Sequence, residues 1–156
     1  MPAIDPKVID GLQSTCQMLT QLSMQYRVYK MNVKFFGIKW LCHKLKDHYS
    51  NTEDQLDIFL KRIFFYGEDP SFDIGSVSGA DKITAILEHL KELVDGLLEF
   101  AVQRRKEAMD SRQDYTPDLY EHLIDTMECQ CMFLTQQLTL IAEISEKGYI
   151  ASRLED

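Results

Sequence analysis

The chain has 156 residues, of which 45% are apolar and 27% charged, with 25 acids against 17 bases and a net charge of −8. That length suits one domain with a sizeable core, and the balance excludes a disordered tail, a collagen-like fibre and a disulfide mini-scaffold. The acidic average surface repels polyanions, and no basic run longer than Arg104-Arg105-Lys106 offsets it, so nucleic-acid binding is not expected.

The longest uncharged run, residues 11–26, falls short of the roughly 18 residues that cross a bilayer and is interrupted by Gln, Ser and Thr. Met1 to Pro6 has neither the basic patch nor the apolar stretch of a signal peptide. A cytoplasmic protein without a membrane partner is the expectation. Cys16, Cys42, Cys129 and Cys131 are too few and too scattered for a disulfide framework, and Cys129-x-Cys131 lacks the second ligand pair of a zinc ribbon. Free thiols are expected.

Only 7 Gly and 4 Pro punctuate the chain, so long elements are expected. Asp5-Pro6 reads as an N-cap followed by proline, opening a helix over 6–36 with Val8, Leu12, Leu19, Leu22, Tyr26, Tyr29, Val33 and Phe36 on one face. A second helix, 39–66, carries Leu41, Leu45, Leu56, Phe59 and Ile63 and stops at Gly67. Ser78-Gly79-Ala80-Asp81 comes close to a capping box and places the third helix over 79–109, with Ile83, Ile86, Leu87, Leu90, Leu93, Val94, Leu97 and Ala101 buried. Thr116-Pro117 caps a fourth, 117–147, with Leu119, Leu123, Met127, Leu134, Leu138 and Ile141, and the tail 149–156 adds one or two turns.

Helices this long belong in a bundle, and the apolar stripes are wider than a coiled-coil seam. Two residues join the first pair and about five the second, which makes two antiparallel hairpins. Gly67 to Val77 spans roughly 40 Å when extended, close to the roughly 42 Å of a 28-residue helix. The expected fold is an all-α four-helix bundle with a long crossover between helices two and three, plus a short C-terminal helix, in one domain over 1–156.

Several segments resemble a known family. They are Gln25-Tyr26, Gly37, the run Lys61-Arg62-Ile63-Phe64-Phe65-Tyr66-Gly67-Glu68-Asp69-Pro70, Asp95-Gly96, and Phe133-Leu134 with Leu138 and Ile141. Through them the chain resembles the bacterioferritin branch of the ferritin-like family over essentially its whole length, most specifically between Arg62 and Pro70. The resemblance implies Fe(II) oxidation at a di-iron centre and mineral storage in a hollow cage. It also implies the ligand set: one Glu on each of two helices and Glu-x-x-His on each of the other two.

That set is missing. The family's ligand positions fall on Leu19, on Thr52 and Gln55, on Leu93 with a margin of one residue, and on Met127 and Gln130. Neighbouring acids exist at Glu53, Glu92 and Glu128, but one step turns a helical side chain by about 100°, off the core face. No Glu anywhere is followed by His three residues later. The family's haem methionine position is Glu53, a poor axial ligand. No catalytic residue, metal or cofactor is therefore expected. Gln55 and Gln130 are expected to hydrogen-bond each other across the bundle, with Thr52 as a third partner.

Of the histidines, His43, His89 and His122 read as surface residues and His48 as half-buried. Tyr26, Tyr29, Phe35 and Phe36, beside Trp40, exceed what one core demands. The resemblance puts this part of the first helix against a two-fold partner, so a dimer interface is expected there. The favoured reading is a non-enzymatic, bacterioferritin-like structural subunit of a cage or dimer in iron storage, assembling with itself and with an active bacterioferritin paralogue. Two alternatives stay open: storage through acidic interior surface sites, and a repurposed helical dimer that binds a protein or hydrophobic ligand.

Overall fold

The structure, a computed structural model, describes residues 4–111 and 115–154. Helix α1 (Pro6–Phe35) opens where expected: the Asp5 carboxylate accepts the Lys7 N–H at 2.9 Å and proline follows the cap. Next come α2 (Lys39–Phe65), α3 (Ile83–Asp110) and α4 (Thr116–Arg153). Gly37 and Gly67, at φ 82° and 77°, end α1 and α2 in the left-handed conformation that glycine adopts without steric cost.

Helix α1 packs on α2 and α3, and α4 packs on α3 and α2, so α1 faces α4 across one diagonal. The interior is one apolar cluster fed by all four helices, from Leu12 and Leu19 through Phe59, Leu90 and Leu97 to Leu123 and Met127. This is the expected bundle of two hairpins.

The crossover runs alongside α1 and in the same direction. Gln13 Nε2 donates to the Asp69 carbonyl and its Oε1 accepts the Ser71 N–H, at 2.8 and 2.7 Å. Further along, Gln21 donates to the Ser76 carbonyl at 2.8 Å and Gln25 to that of Ser78 at 2.6 Å, and Asn32 accepts the Ala80 N–H at 3.3 Å. These amides satisfy backbone groups that belong to neither helix nor sheet.

The same contacts correct the expected start of the third helix. With Ser78 and Ala80 held against α1, the Ser78–Asp81 segment cannot cap, and α3 begins at Ile83 without a side-chain cap from its own N-cap residue, Lys82. An N-terminal amide of α3, that of Thr84, donates instead to Glu146 Oε1 of α4 at 2.7 Å. Thr116 likewise does not cap α4. It is buried, and its hydroxyl meets Arg62 Nε and the Tyr66 hydroxyl, each at 3.2 Å.

Helix α4 breaks at Ser145, which sits at φ 69° and ψ 162°, just before the expected end at 147, and the expected tail follows as helix to Arg153. Beyond the break, Tyr149 donates to Gln137 Oε1 at 2.9 Å, and the Arg153 guanidinium lies 4.0 Å from the Trp40 ring centroid. The tail is thus pinned to α4 and to the start of α2. The expected tail reaches 156, and its last two residues lie outside the described ones, as do Arg112 to Asp114 in the α3–α4 connection.

Candidate functional site

Leu19 on α1, Thr52 on α2 and Met127 and Gln130 on α4 are all buried in the bundle interior. They are joined there by Tyr26, which faces α4 across the diagonal. Its hydroxyl donates to Gln130 Oε1 at 2.8 Å, while Gln130 Nε2 donates to Thr52 Oγ1 at 3.1 Å and to the His48 carbonyl at 3.4 Å. Thr52 passes its own proton to the same His48 carbonyl at 2.7 Å. Burial pushes the Tyr26 phenol well above its ordinary pKa, so the group stays a neutral donor. The chain of donors and acceptors closes without an ion.

The expected Gln55–Gln130 pair is not formed. Gln55 is half-buried and its Nε2 donates to Thr126 Oγ1 at 3.3 Å, on the outer side of the α2–α4 seam. Gln130 points inward, where Tyr26 and Thr52 occupy its amide. Sequence reasoning missed Tyr26 as the partner because it read that ring as interface. The available signal was its place on the same apolar stripe as Leu19 and Leu22. On α3, Leu93 is half-buried and Val94, one residue on, is the fully buried side chain, within the one-residue margin.

The neighbouring acids lie away from the interior. Glu92 and Glu128 are exposed, and Glu53 is half-buried with its carboxylate accepting the Ser23 hydroxyl of α1. Among the described residues no group of three or more His, Cys, Asp or Glu side chains is placed to hold a metal ion. All four cysteines are free.

His48 is half-buried between Tyr26 and Phe133, with ring centroids at 5.8 and 4.9 Å. Desolvation is the main cause that pulls its pKa down to about 4, so the ring is neutral near pH 7. Its buried Nε2 has no hydrogen-bond partner among the described residues. His43 and His122 are exposed as expected. His89 is half-buried, its Nδ1 hydrogen-bonded to the Tyr29 hydroxyl.

A ferritin-like domain model matches residues 9–144, which is most of the chain. The chain belongs to the ferritin-like family. A structure of the bacterioferritin of Rhodobacter capsulatus, described with a metal-free dinuclear site and haem iron, superposes with a TM-score of 0.94 at 18% identity. The match covers 99% of this chain and 98% of that one, and it establishes a shared fold. No curated protein sequence matches the chain.

Against this ferritin-like frame the two groups implied by the resemblance can be tested on the donors present. A di-iron pair needs hard carboxylate oxygens and imidazole. The residues at the implied positions supply apolar side chains, one thioether, one hydroxyl and two neutral amides. The Thr52 hydroxyl and both ends of the Gln130 amide are already engaged in hydrogen bonds. These residues do not fit the pair. Haem fits no better at Glu53, where a carboxylate bound to Ser23 stands in place of a thioether.

The ferritin-like bundle also revises the expected interface. Tyr26 and Tyr29 are 0% and 2% exposed within the single chain, so their rings belong to its own core. Both sit on the inward stripe that includes Leu22 and Val33. Phe35 and Phe36, by contrast, are 87% and 36% exposed at the end of α1. Among the described residues no helix is long and apolar enough to cross a membrane.

Proposed function

We propose that this chain is a non-catalytic, cytoplasmic ferritin-like subunit that contributes the bundle, and no oxidation chemistry, to an iron-storage assembly. Its partners are further copies of itself and a catalytically competent bacterioferritin paralogue. One observation carries the reading: the hydroxyls of Tyr26 and Thr52 and the amide of Gln130 pair with one another among the implied ligand positions, none of which holds a carboxylate. A metal-free cluster of buried carboxylates would set like charges together in low dielectric, at a cost of several kcal/mol. Leu19 and Met127 instead add apolar burial, each contributing about 1.5–3 kcal/mol. The bundle then holds its shape independently of iron.

Two measurements test this. Fe(II) added to the purified chain in air is expected to oxidise no faster than Fe(II) in buffer, and a saturable acceleration would overturn the non-catalytic assignment. The native mass of the complex purified from its host, with subunits identified, is expected to show a multi-chain particle that includes an active bacterioferritin. A homomeric shell loaded with iron would favour storage through acidic surface sites, and a lone dimer would remove the assembly from the reading.

A further inference from the structure

Charge is distributed very unevenly along this acidic chain. Residues 11 to 46 contain no Asp or Glu but six bases: Arg27, Lys30, Lys34, Lys39, Lys44 and Lys46. The rest of the chain carries 11 bases against 25 acids. Because the six are spaced two to five residues apart, they form no basic run, and only the fold gathers them. Lys30 and Lys34 are one turn apart near the end of α1, and Lys39 and Lys46 two turns apart at the start of α2.

The α1–α2 turn brings these four lysines around one cavity of about 320 Å³, completed by Met31, Cys42 and His43. Its size falls at the lower end of the roughly 300–1,000 Å³ typical of small-ligand sites. No carboxylate lines it, and among the described residues none of the four lysines forms an ion pair. The N-terminus of the 27-residue α2 opens at the same place, and no side chain caps it. The opposing carbonyl end of α1 is closed by the amides of Phe36, Gly37 and Ile38, which leaves the positive end dominant.

A concave site lined by one sign of charge concentrates counter-ions. Ammonium groups on flexible stems serve there as point charges for phosphate. We propose that this cavity is a binding site for a compact, multiply charged phosphate such as pyrophosphate or the phosphate end of a nucleotide. The inference does not rest on the proposed storage role. It places an anion site on the outside of the first hairpin, away from the interior network.

Pyrophosphate is the probe, titrated calorimetrically into the full chain in its purified assembly state at low and at physiological salt. Saturable binding at one site per chain is expected, weakening as salt rises. The variant K34Q/K39Q/K46Q, exposed at all three positions, is expected to lose at least tenfold in affinity while keeping its circular dichroism. K7Q/K106Q/K147Q removes the same charge elsewhere on the exposed surface and should change affinity less than threefold. Cys42 supplies a second readout: pyrophosphate is expected to slow its alkylation and to leave that of exposed Cys129 unchanged. Absence of saturable binding, equal losses in the two variants, or an unprotected Cys42 would each overturn the site. Tighter binding of single-stranded nucleic acid than of pyrophosphate at equal salt would also overturn it, in favour of a polymer-binding face.

Discussion

Gln130 holds three partners at once, which makes it the residue whose loss is most legible. Gln130→Leu would strand the buried Tyr26 hydroxyl and remove the donor to Thr52, at a cost of about 2–4 kcal/mol in chemical denaturation. Tyr26→Phe alone should cost about 1 kcal/mol. The double variant replaces both ends of one bond with apolar groups, so its loss should be smaller than the sum; strict additivity would show that the bond carries no coupling. His48 adds a pH dependence. Its folded pKa, about 4, lies below the ordinary 6.5, so the unfolded chain binds the proton first as pH falls. Stability is therefore fully present above about pH 6.5 and declines towards pH 4, by about 3 kcal/mol for a shift of this size. The lowered carboxyl pKa values of Asp5 and Asp95 withdraw further stability at lower pH. Those groups persist in His48→Phe, so the difference between the two denaturation-versus-pH curves isolates the imidazole. Parallel curves would contradict its assignment as a buried neutral base.

At the scale of elements, the crossover is the least regular part of the chain and the one most dependent on side chains. Gln25 is fully buried and serves both the carbonyl and the N–H of Ser78. Gln25→Ala should cost about 1–3 kcal/mol, read as a fall of several degrees in Tm. Amide exchange should quicken around residues 76–81 and stay unchanged in α4; a uniform increase would mean the contact matters only to global stability. The helices themselves were legible from spacing, because burial of one stripe fixes where a long helix lies. The start of α3 was not. The Ser78–Asp81 sequence is locally suited to capping, and a tertiary contact from α1, 53 residues away, outcompetes it. The short C-terminal helix was legible as well, but not the break at Ser145 that precedes it nor the contacts with Gln137 and Trp40 that hold it.

For the whole molecule, the positions facing the interior were legible because they lie on apolar stripes, whereas their partners were not. Pairing of Gln130 with Tyr26 across the diagonal, in preference to Gln55, depends on which way each amide turns, and helical spacing does not specify that. The aromatic excess of the first hairpin was visible in the sequence. Its division into a core half, Tyr26 and Tyr29, and a surface half, Phe35 and Phe36, follows only from the fold. That surface half bears directly on assembly. A phenylalanine 87% exposed leaves nearly its whole ring in water, and such a side chain beside a second exposed Phe is the kind of apolar patch that a partner covers. Phe35→Glu touches nothing in the core, so the variant should keep the circular dichroism and thermal unfolding of a folded bundle. If Phe35 lies in a subunit contact, the buried carboxylate would oppose association, and native mass spectrometry should show smaller particles than the parent protein. An unchanged mass would place the contact elsewhere, and the other exposed aromatic pair, Phe64 and Phe65 at the far end of α2, would be the next to substitute.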